Sequence, residues 1–215
     1  AGQQMHGDDS SRLLANTIAH QWWGNHVGPA TRNDAWITNG MCRYAELAYL
    51  KHTAKPSIFA DAVLNVSASA LAYDTVPLSD SAHYKPFSTE FQALTYDKGA
   101  MIFRMLQWQI GDAAFQQTLH TMLSQHDGSI CSVEVERIAE NASHQNLRPF
   151  FLQWLDSTGA PTLKDNWTLY RLGNNKGFRT VGDITENLEL FQMPVEVRMQ
   201  SEGKTVTRRV NISGP

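Results

Sequence analysis

The stretch LLANTIAHQWWGNHVGPATRNDAWITNG, Leu13 to Gly40, decides how this chain is read. Its first half sets Leu13, Leu14, Ile18, Trp22 and Trp23 near helical spacing, which predicts a helix over about 10–24. Asp9, Ser10 or Ser11 are its candidate N-caps, and Gly24 stops it. The second half ends on Asn39-Gly40, where a second helix is expected to start and run to about Leu50. Within the first helix, Asn16 and His20 are separated by one helical turn and share a face.

Downstream, apolar residues at Phe91, Leu94, Ile102, Phe103, Met105, Leu106 and Ile110 predict a helix over about 88–110, ended by Gly111. Asp112 is a candidate cap for a following helix with Phe115, Leu119, Met122 and Leu123. Ser132 is a candidate cap for one with Val135, Ile138, Ala139 and Ala142. Pro149 fits the first turn of a last helix holding Phe150, Phe151, Trp154 and Leu155. After STGAP, residues 157–161, the period changes to two. NWTLYRL, GFRTVGDI, PVEVRM and TVTRRVNI read as four strands, with GNNKG and SEGK as turns. The chain therefore reads as a helical domain over 1–160 and a small antiparallel β-domain, sandwich-like, over 161–215.

The bulk numbers exclude some partners. The 215 residues carry a formal net charge of −3 and no block of like charges, which argues against a nucleic-acid partner. No apolar run approaches the ~18 residues of a membrane span. The opening AGQQMHGDDSS lacks both the apolar stretch of a signal peptide and an initiator Met, so the chain is read as part of a longer or processed one. The compartment is left open. Cys42 and Cys131 are read as buried thiols, since no framework of paired spacings surrounds them.

NTIAHQWWGN followed by NDAWITNG resembles the M1 family of zinc metallopeptidases, which includes aminopeptidase N and leukotriene A4 hydrolase. The family pattern is H-E-x-x-H, eighteen residues, then E. The flanks match at Ala19, His20, Gln21, Trp22, Gly24 and Asn25, then at Asn33, Asp34, Trp36 and Gly40. TYDKGAMIFRML resembles the family's Y-x-KGA helix, on which Tyr96 falls at the oxyanion-stabilising tyrosine. FFLQWLDSTGAPTL and the strands after it resemble the family's passage from helical catalytic subdomain to β-module.

The resemblance implies a gluzincin-type helical subdomain and a site whose parts can be checked residue by residue. Two His at i and i+4 and a carboxylate from the next helix supply three zinc ligands, leaving a fourth position for water. The Glu after the first His is the general base for that water. Here the first-ligand position is Asn16, the general-base position Thr17, the second ligand His20, and the third Asn39. Only His20 is retained. Amides are weak neutral ligands, and Thr17 has no basicity near neutral pH. Loss of the base alone removes a factor on the order of 10²–10⁴ in rate.

The resemblance therefore implies a non-catalytic pseudopeptidase with no bound metal or other cofactor. It would hold a peptide or protein in the former active-site cleft, or serve as a structural module of a longer chain. The alternative is a zinc metallo-aminopeptidase by descent, with residual or altered activity. His20 is read as a histidine hydrogen-bonded within the old site, and Tyr96 as a pocket-lining hydroxyl. Asn16, Thr17, His20 and Asn39 are expected to face one cleft with Tyr96. They are also expected to hydrogen-bond to one another across the two helices, because a buried polar group without a partner costs roughly 1–3 kcal/mol.

Overall fold

The computed structural model describes residues 7–125, 128–173, 177–188, 191–201 and 203–213. The chain divides into two compact units, Ala1–Gly159 and Ala160–Pro215. The first is mainly helical and the second is built of antiparallel strands. This is the fold class that the change of period predicts.

The helical unit opens with α1, Gly7–Ala19. Helix is already formed at Gly7, so Asp9, Ser10 and Ser11 lie inside it instead of capping it. It also ends before Gly24. The His20 N–H still reaches the Asn16 carbonyl at 3.3 Å, but those of Trp22 and Trp23 both turn to Ala19. Gly24 then takes φ +126°, a conformation open to glycine, and reverses the chain. A short strand β1, Val27–Pro29, follows and pairs in parallel with β2, Gly128–Ile130, which the sequence reading did not anticipate.

Helix α2 spans Ala35–Thr53 and so begins four residues before Asn39. Asn39-Gly40 had the look of a helix start because both residues favour helix ends. Gly40 is instead mid-helix, where a glycine costs about 1 kcal/mol against alanine. The reason lies across the helix: a Cβ on Gly40 would sit 2.6 Å from the Gly99 carbonyl carbon, and one on Gly99 2.8 Å from the Trp36 carbonyl oxygen. The two backbones touch because neither residue has a side chain. One turn earlier, Trp36 stacks on Phe103 with ring centroids 5.1 Å apart, and both are fully buried.

Helix α3, Pro56–Ala72, has no counterpart in the sequence reading. Its apolar residues are scattered around the axis and give no stripe, although Pro56 in its first turn marks the start. Ala62 and Val66 pack on Leu47 and Leu50 of α2. The helix expected over 88–110 forms in three consecutive pieces: α4, Thr89–Gln92, a π-helical segment, Ala93–Lys98, and α5, Gly99–Ile110. The Ser88 hydroxyl caps it by accepting the Phe91 N–H at 3.2 Å.

Three helices complete the unit: α6, Asp112–Gln125, α7, Ser132–Ser143, and α8, Arg148–Leu155, with Pro149 in its first turn. The residue before α7 is Cys131, whose N–H donates to Glu134 at 2.9 Å. Ser132 is already helical. It gives its N–H and hydroxyl to the buried Asp34 at 2.8 and 2.7 Å. Asp34 accepts from the Thr31 N–H and hydroxyl as well, at 3.1 and 2.7 Å, and so ties the start of α2 to that of α7.

In the second unit, β3, Lys164–Arg171, pairs antiparallel with β4, Phe178–Thr185. β5, Gln192–Ser201, pairs antiparallel with β6, Lys204–Ser213. All four strands fall where the alternation placed them. The two thiols are free; Cys42 is buried and Cys131 half-buried.

The Gly40–Gly99 contact generates a prediction. Gly40→Ala gains about 1 kcal/mol of helix propensity, yet its methyl meets backbone that cannot swing aside, an overpacking cost of about 1–3 kcal/mol. The expected net result is a lower urea midpoint with an unchanged slope. A midpoint equal to or above that of the parent would mean that α2 and α5 separate freely.

Candidate functional site: the polar seam between α1, α2 and the π-helical segment

The five positions singled out in the sequence fall on three elements. Asn16 and Thr17 are on α1, His20 just beyond its end, Asn39 in the second turn of α2, and Tyr96 in the π-helical segment. Asn16 and Tyr96 line one cavity of about 260 Å³, together with Arg12, Leu13, Arg43 and Glu46. Thr17, His20 and Asn39 are not among its walls.

The expected network among Asn16, Thr17, His20 and Asn39 does not form, because each of three has a nearer partner. Thr17 is exposed, and its hydroxyl donates back to the Leu13 carbonyl at 2.8 Å. His20 Nδ1 lies 3.1 Å from the Trp23 carbonyl, a partner supplied by the turn that ends α1. The Cys42 thiol reaches the same oxygen at 3.5 Å. Burial pushes that thiol up to about 12 from its ordinary 9.0. Asn39 does cross between helices, but to the π-helical segment: its amide donates to the Thr95 hydroxyl at 3.0 Å, which in turn donates to the Phe91 carbonyl at 2.8 Å. Thr95 is fully buried, so this relay satisfies a group that would otherwise be orphaned.

The strongest electrostatics belong to residues that sequence reasoning did not single out. Glu46 is buried in α2. Its Oε1 accepts Arg12 Nε and Nη2 at 2.9 and 2.7 Å, and its Oε2 accepts Arg43 Nη1 at 2.7 Å. One carboxylate thus joins α1 to α2. Arg43 Nε lies 3.1 Å from Asp97, within ion-pair range but without hydrogen-bond geometry. Asp97 also accepts from Ser69 at 2.7 Å. Burial raises the Asp97 carboxyl from its ordinary value, against the opposing pull of Ser69 and Arg43. The Tyr96 hydroxyl is raised by burial first and then by Cys42, with Arg43 opposing, so it remains a neutral donor. The spacing of Arg43 and Glu46 on one helix face was the available signal; Arg12 carried none.

A second buried pair anchors the other side of the segment. Lys98 Nζ donates to Asp74 at 2.7 Å and to the Ser157 carbonyl at 3.2 Å. The other Asp74 oxygen accepts the Gly159 N–H at 2.9 Å. Burial lowers the Lys98 ammonium, and the Asp74 carboxylate counters it. Among the described residues, no group of three or more His, Cys, Asp or Glu side chains is arranged to hold a metal ion.

The helical frame and the order of its motifs can be compared with known proteins. A family model, the peptidase family M1 domain, matches residues 4–154. The chain belongs to peptidase family M1. This M1 chain is 34% identical to human endoplasmic reticulum aminopeptidase 2 over 112 residues, which is 50% of the chain and 12% of that relative. It is 25% identical to a leucyl aminopeptidase of Saccharolobus solfataricus over 210 residues, 92% of the chain and 26% of the relative. It therefore spans a small part of the length of the aminopeptidases it matches.

Among solved structures, it resembles an M1 zinc metallopeptidase mutant of Deinococcus radiodurans bound to a Tyr-Ser-Ala substrate. That match has a TM-score of 0.59 and 23% identity, covering 70% of this chain and 34% of that one. Aminopeptidase A of Legionella pneumophila, in complex with aspartic acid, matches with a TM-score of 0.70 and 17% identity, covering 94% and 23%. At these identities the two structures establish the M1 fold alone. No described helix is long and apolar enough to cross a membrane.

The shared carboxylate generates the prediction for this seam. Glu46→Gln keeps the shape and removes the charge that two guanidinium groups share. The arginines are 28% and 29% exposed, so solvent screens part of the loss. A destabilisation of roughly 1–3 kcal/mol is expected by chemical denaturation, and it should shrink as salt is added. A variant as stable as the parent would mean that the seam is held by packing alone.

Proposed function

We propose that this M1-family chain is a non-catalytic pseudopeptidase, which holds a peptide or partner segment in the cleft where its relatives hydrolyse theirs. The observation that carries the reading is the set of groups at the family's key positions: Asn16, Thr17, His20 and Asn39. One imidazole and two neutral amides do not fit zinc, which takes anionic or imidazole donors and needs charge to offset its own. The partners of these groups support the same reading. The Asn39 amide is committed to Thr95, and His20 turns Nδ1 to the Trp23 carbonyl. Thr17 bonds to its own helix and offers no base to a water molecule.

The cleft retains what binding would need. Tyr96 presents a neutral hydroxyl, and the cavity beside it is lined by charged and polar groups. The chain's own residues can bind and orient a peptide there, while neither Thr17 nor Asn39 can take a proton from an attacking water near neutral pH. The competing reading, a zinc metallo-aminopeptidase by descent, is favoured by the names of its relatives. Under that reading the residues that would meet the metal are Asn16, His20 and Asn39, and their donor chemistry counts against it.

Elemental analysis after dialysis tests the choice. The expected result is far less than one zinc per chain and no cleavage of aminoacyl reporters with zinc added. About one zinc per chain, with turnover abolished by a chelator, would establish the enzyme. A gain-of-function test is independent of that result. Asn16→His, Thr17→Glu and Asn39→Glu together should restore zinc binding, measured by competition with a chromogenic chelator, because the helix-turn spacing to His20 and the eighteen-residue gap are kept. Neither ligand change alone should suffice, since each leaves two protein ligands. A folded triple variant that binds no better than the parent would mean the cleft has been remodelled beyond its ligands.

A further inference from the structure

The cavity walls do not balance in charge. Arg12 and Arg43 contribute two guanidinium groups, and Glu46 contributes the one carboxylate. Glu46 is already engaged, with three N–H donors on its two oxygens. Arg43 is engaged only in part. Among the described residues its Nη1 donates to Glu46 and its Nε lies 3.1 Å from Asp97, which leaves the Nη2 donors of the guanidinium for a ligand. The Tyr96 hydroxyl and the Asn16 side-chain amide have no hydrogen-bond partner among the described residues, and both line the same space. Leu13 supplies an apolar wall. Asp97, the other acid near Arg43, engages Ser69 at 2.7 Å and lies 3.1 Å from Arg43 Nε, and it is not among the cavity walls.

We infer that this cavity is a binding site for a monoanionic carboxylate, which Arg43 would grip with the Tyr96 hydroxyl and the Asn16 amide while Arg12 holds Glu46 in place. The inference rests on the reading of the cleft as a peptide-binding site and names the chemistry of its ligand. The Nη2 donors of Arg43 and two neutral donors match a carboxylate better than a dianion, which would demand a second cation with donors to spare. A volume of about 260 Å³ suits the end of a short peptide or one acidic side chain. Both carry the same group.

Calorimetric titration of the full chain with three dipeptides tests this: Gly-Phe with a free C-terminus, Gly-Phe amide, and Gly-Glu amide, whose carboxylate is on the side chain. The expected result is that Gly-Phe binds at least about tenfold more tightly than its amide, with the preference shrinking as salt rises. Tighter binding of Gly-Glu amide than of Gly-Phe amide would also support a carboxylate site and assign the side chain as a source. Equal binding of Gly-Phe and Gly-Phe amide would overturn the carboxylate site and leave the peptide cleft standing. No binding of any of the three would overturn both. Zinc-dependent cleavage of Gly-Phe would remove the non-catalytic reading without bearing on the acid-over-amide preference.

Two variants locate the site. Arg43→Gln should abolish the preference for the acid, with circular dichroism checking the fold. Tyr96→Phe removes only a hydroxyl, so the fold should be kept, and should weaken acid binding about threefold or more, narrowing the ratio of acid to amide affinity. If the preference survives in both variants, the carboxylate binds elsewhere and the inference fails.

Discussion

The contact of Gly40 with Gly99 sets the distances on which the rest of the helical unit depends. Two helices whose backbones touch cannot slide or rotate without collision, so the residues next to the crossing are placed with little freedom. Asn39 is the neighbour of Gly40, and Thr95 to Lys98 immediately precede Gly99. Asn39, Thr95, Tyr96, Asp97 and Lys98 are therefore one to four residues from this close approach. Trp36 on Phe103 extends the same contact as a buried aromatic pair. Precision at the site comes from packing beside it, not from the site's own bonds.

Those bonds nevertheless have a pattern. Three polar links converge on α2: Glu46 with Arg12 of α1, Arg43 with Asp97, and Asn39 with Thr95 of the π-helical segment. One joins α2 to α1, and two join it to the π-helical segment. A metal ion would draw such elements to one point. Here the connections are spread along the helix, and those of Glu46 and Asn39 satisfy groups that the low dielectric of the interior would otherwise penalise. The disagreement between the family pattern and the residues present is thus reconciled locally, by partners on hand, without a common network.

Much of the fold was legible because two periods dominate. The stripe from Phe91 to Ile110 and the alternation after STGAP locate the long helix and all four strands. The failures are equally physical. Helix α3 has apolar residues all round, so periodicity was silent and only Pro56 marked it. Asn39-Gly40 looked like an end because local preference cannot report a backbone contact with a residue almost sixty positions away. The site positions were read from motif order, and the structure brought Asn16 and Tyr96 to one cavity. The partner of His20 depended on the turn at Gly24, and the pairing of Glu46 with Arg12 on the approach of two helices. Neither is written in local sequence.

The π-helical segment between Gln92 and Gly99 carries a further implication about ancestry and tolerance to change. Its wider turns hold more residues than α-helix would over the same stretch, so it behaves like an insertion absorbed inside a continuous helix. Each residue of an α-helix turns the chain by about 100°. Removing one position from the segment would let it relax to ordinary α-helix. Everything on one side of the segment would then rotate by that angle relative to the other. Thr95 and Phe91 could not both keep their faces if Gly99 kept its own. The segment works as a phase shifter: it lets one helix present Gly99 to Gly40, Lys98 to Asp74 and Tyr96 to the cavity, three directions that a uniform helix of the same length would not offer together. A deletion in this short stretch would therefore turn either Phe91 or Gly99 away from its present neighbours, whereas a substitution that keeps its length would not.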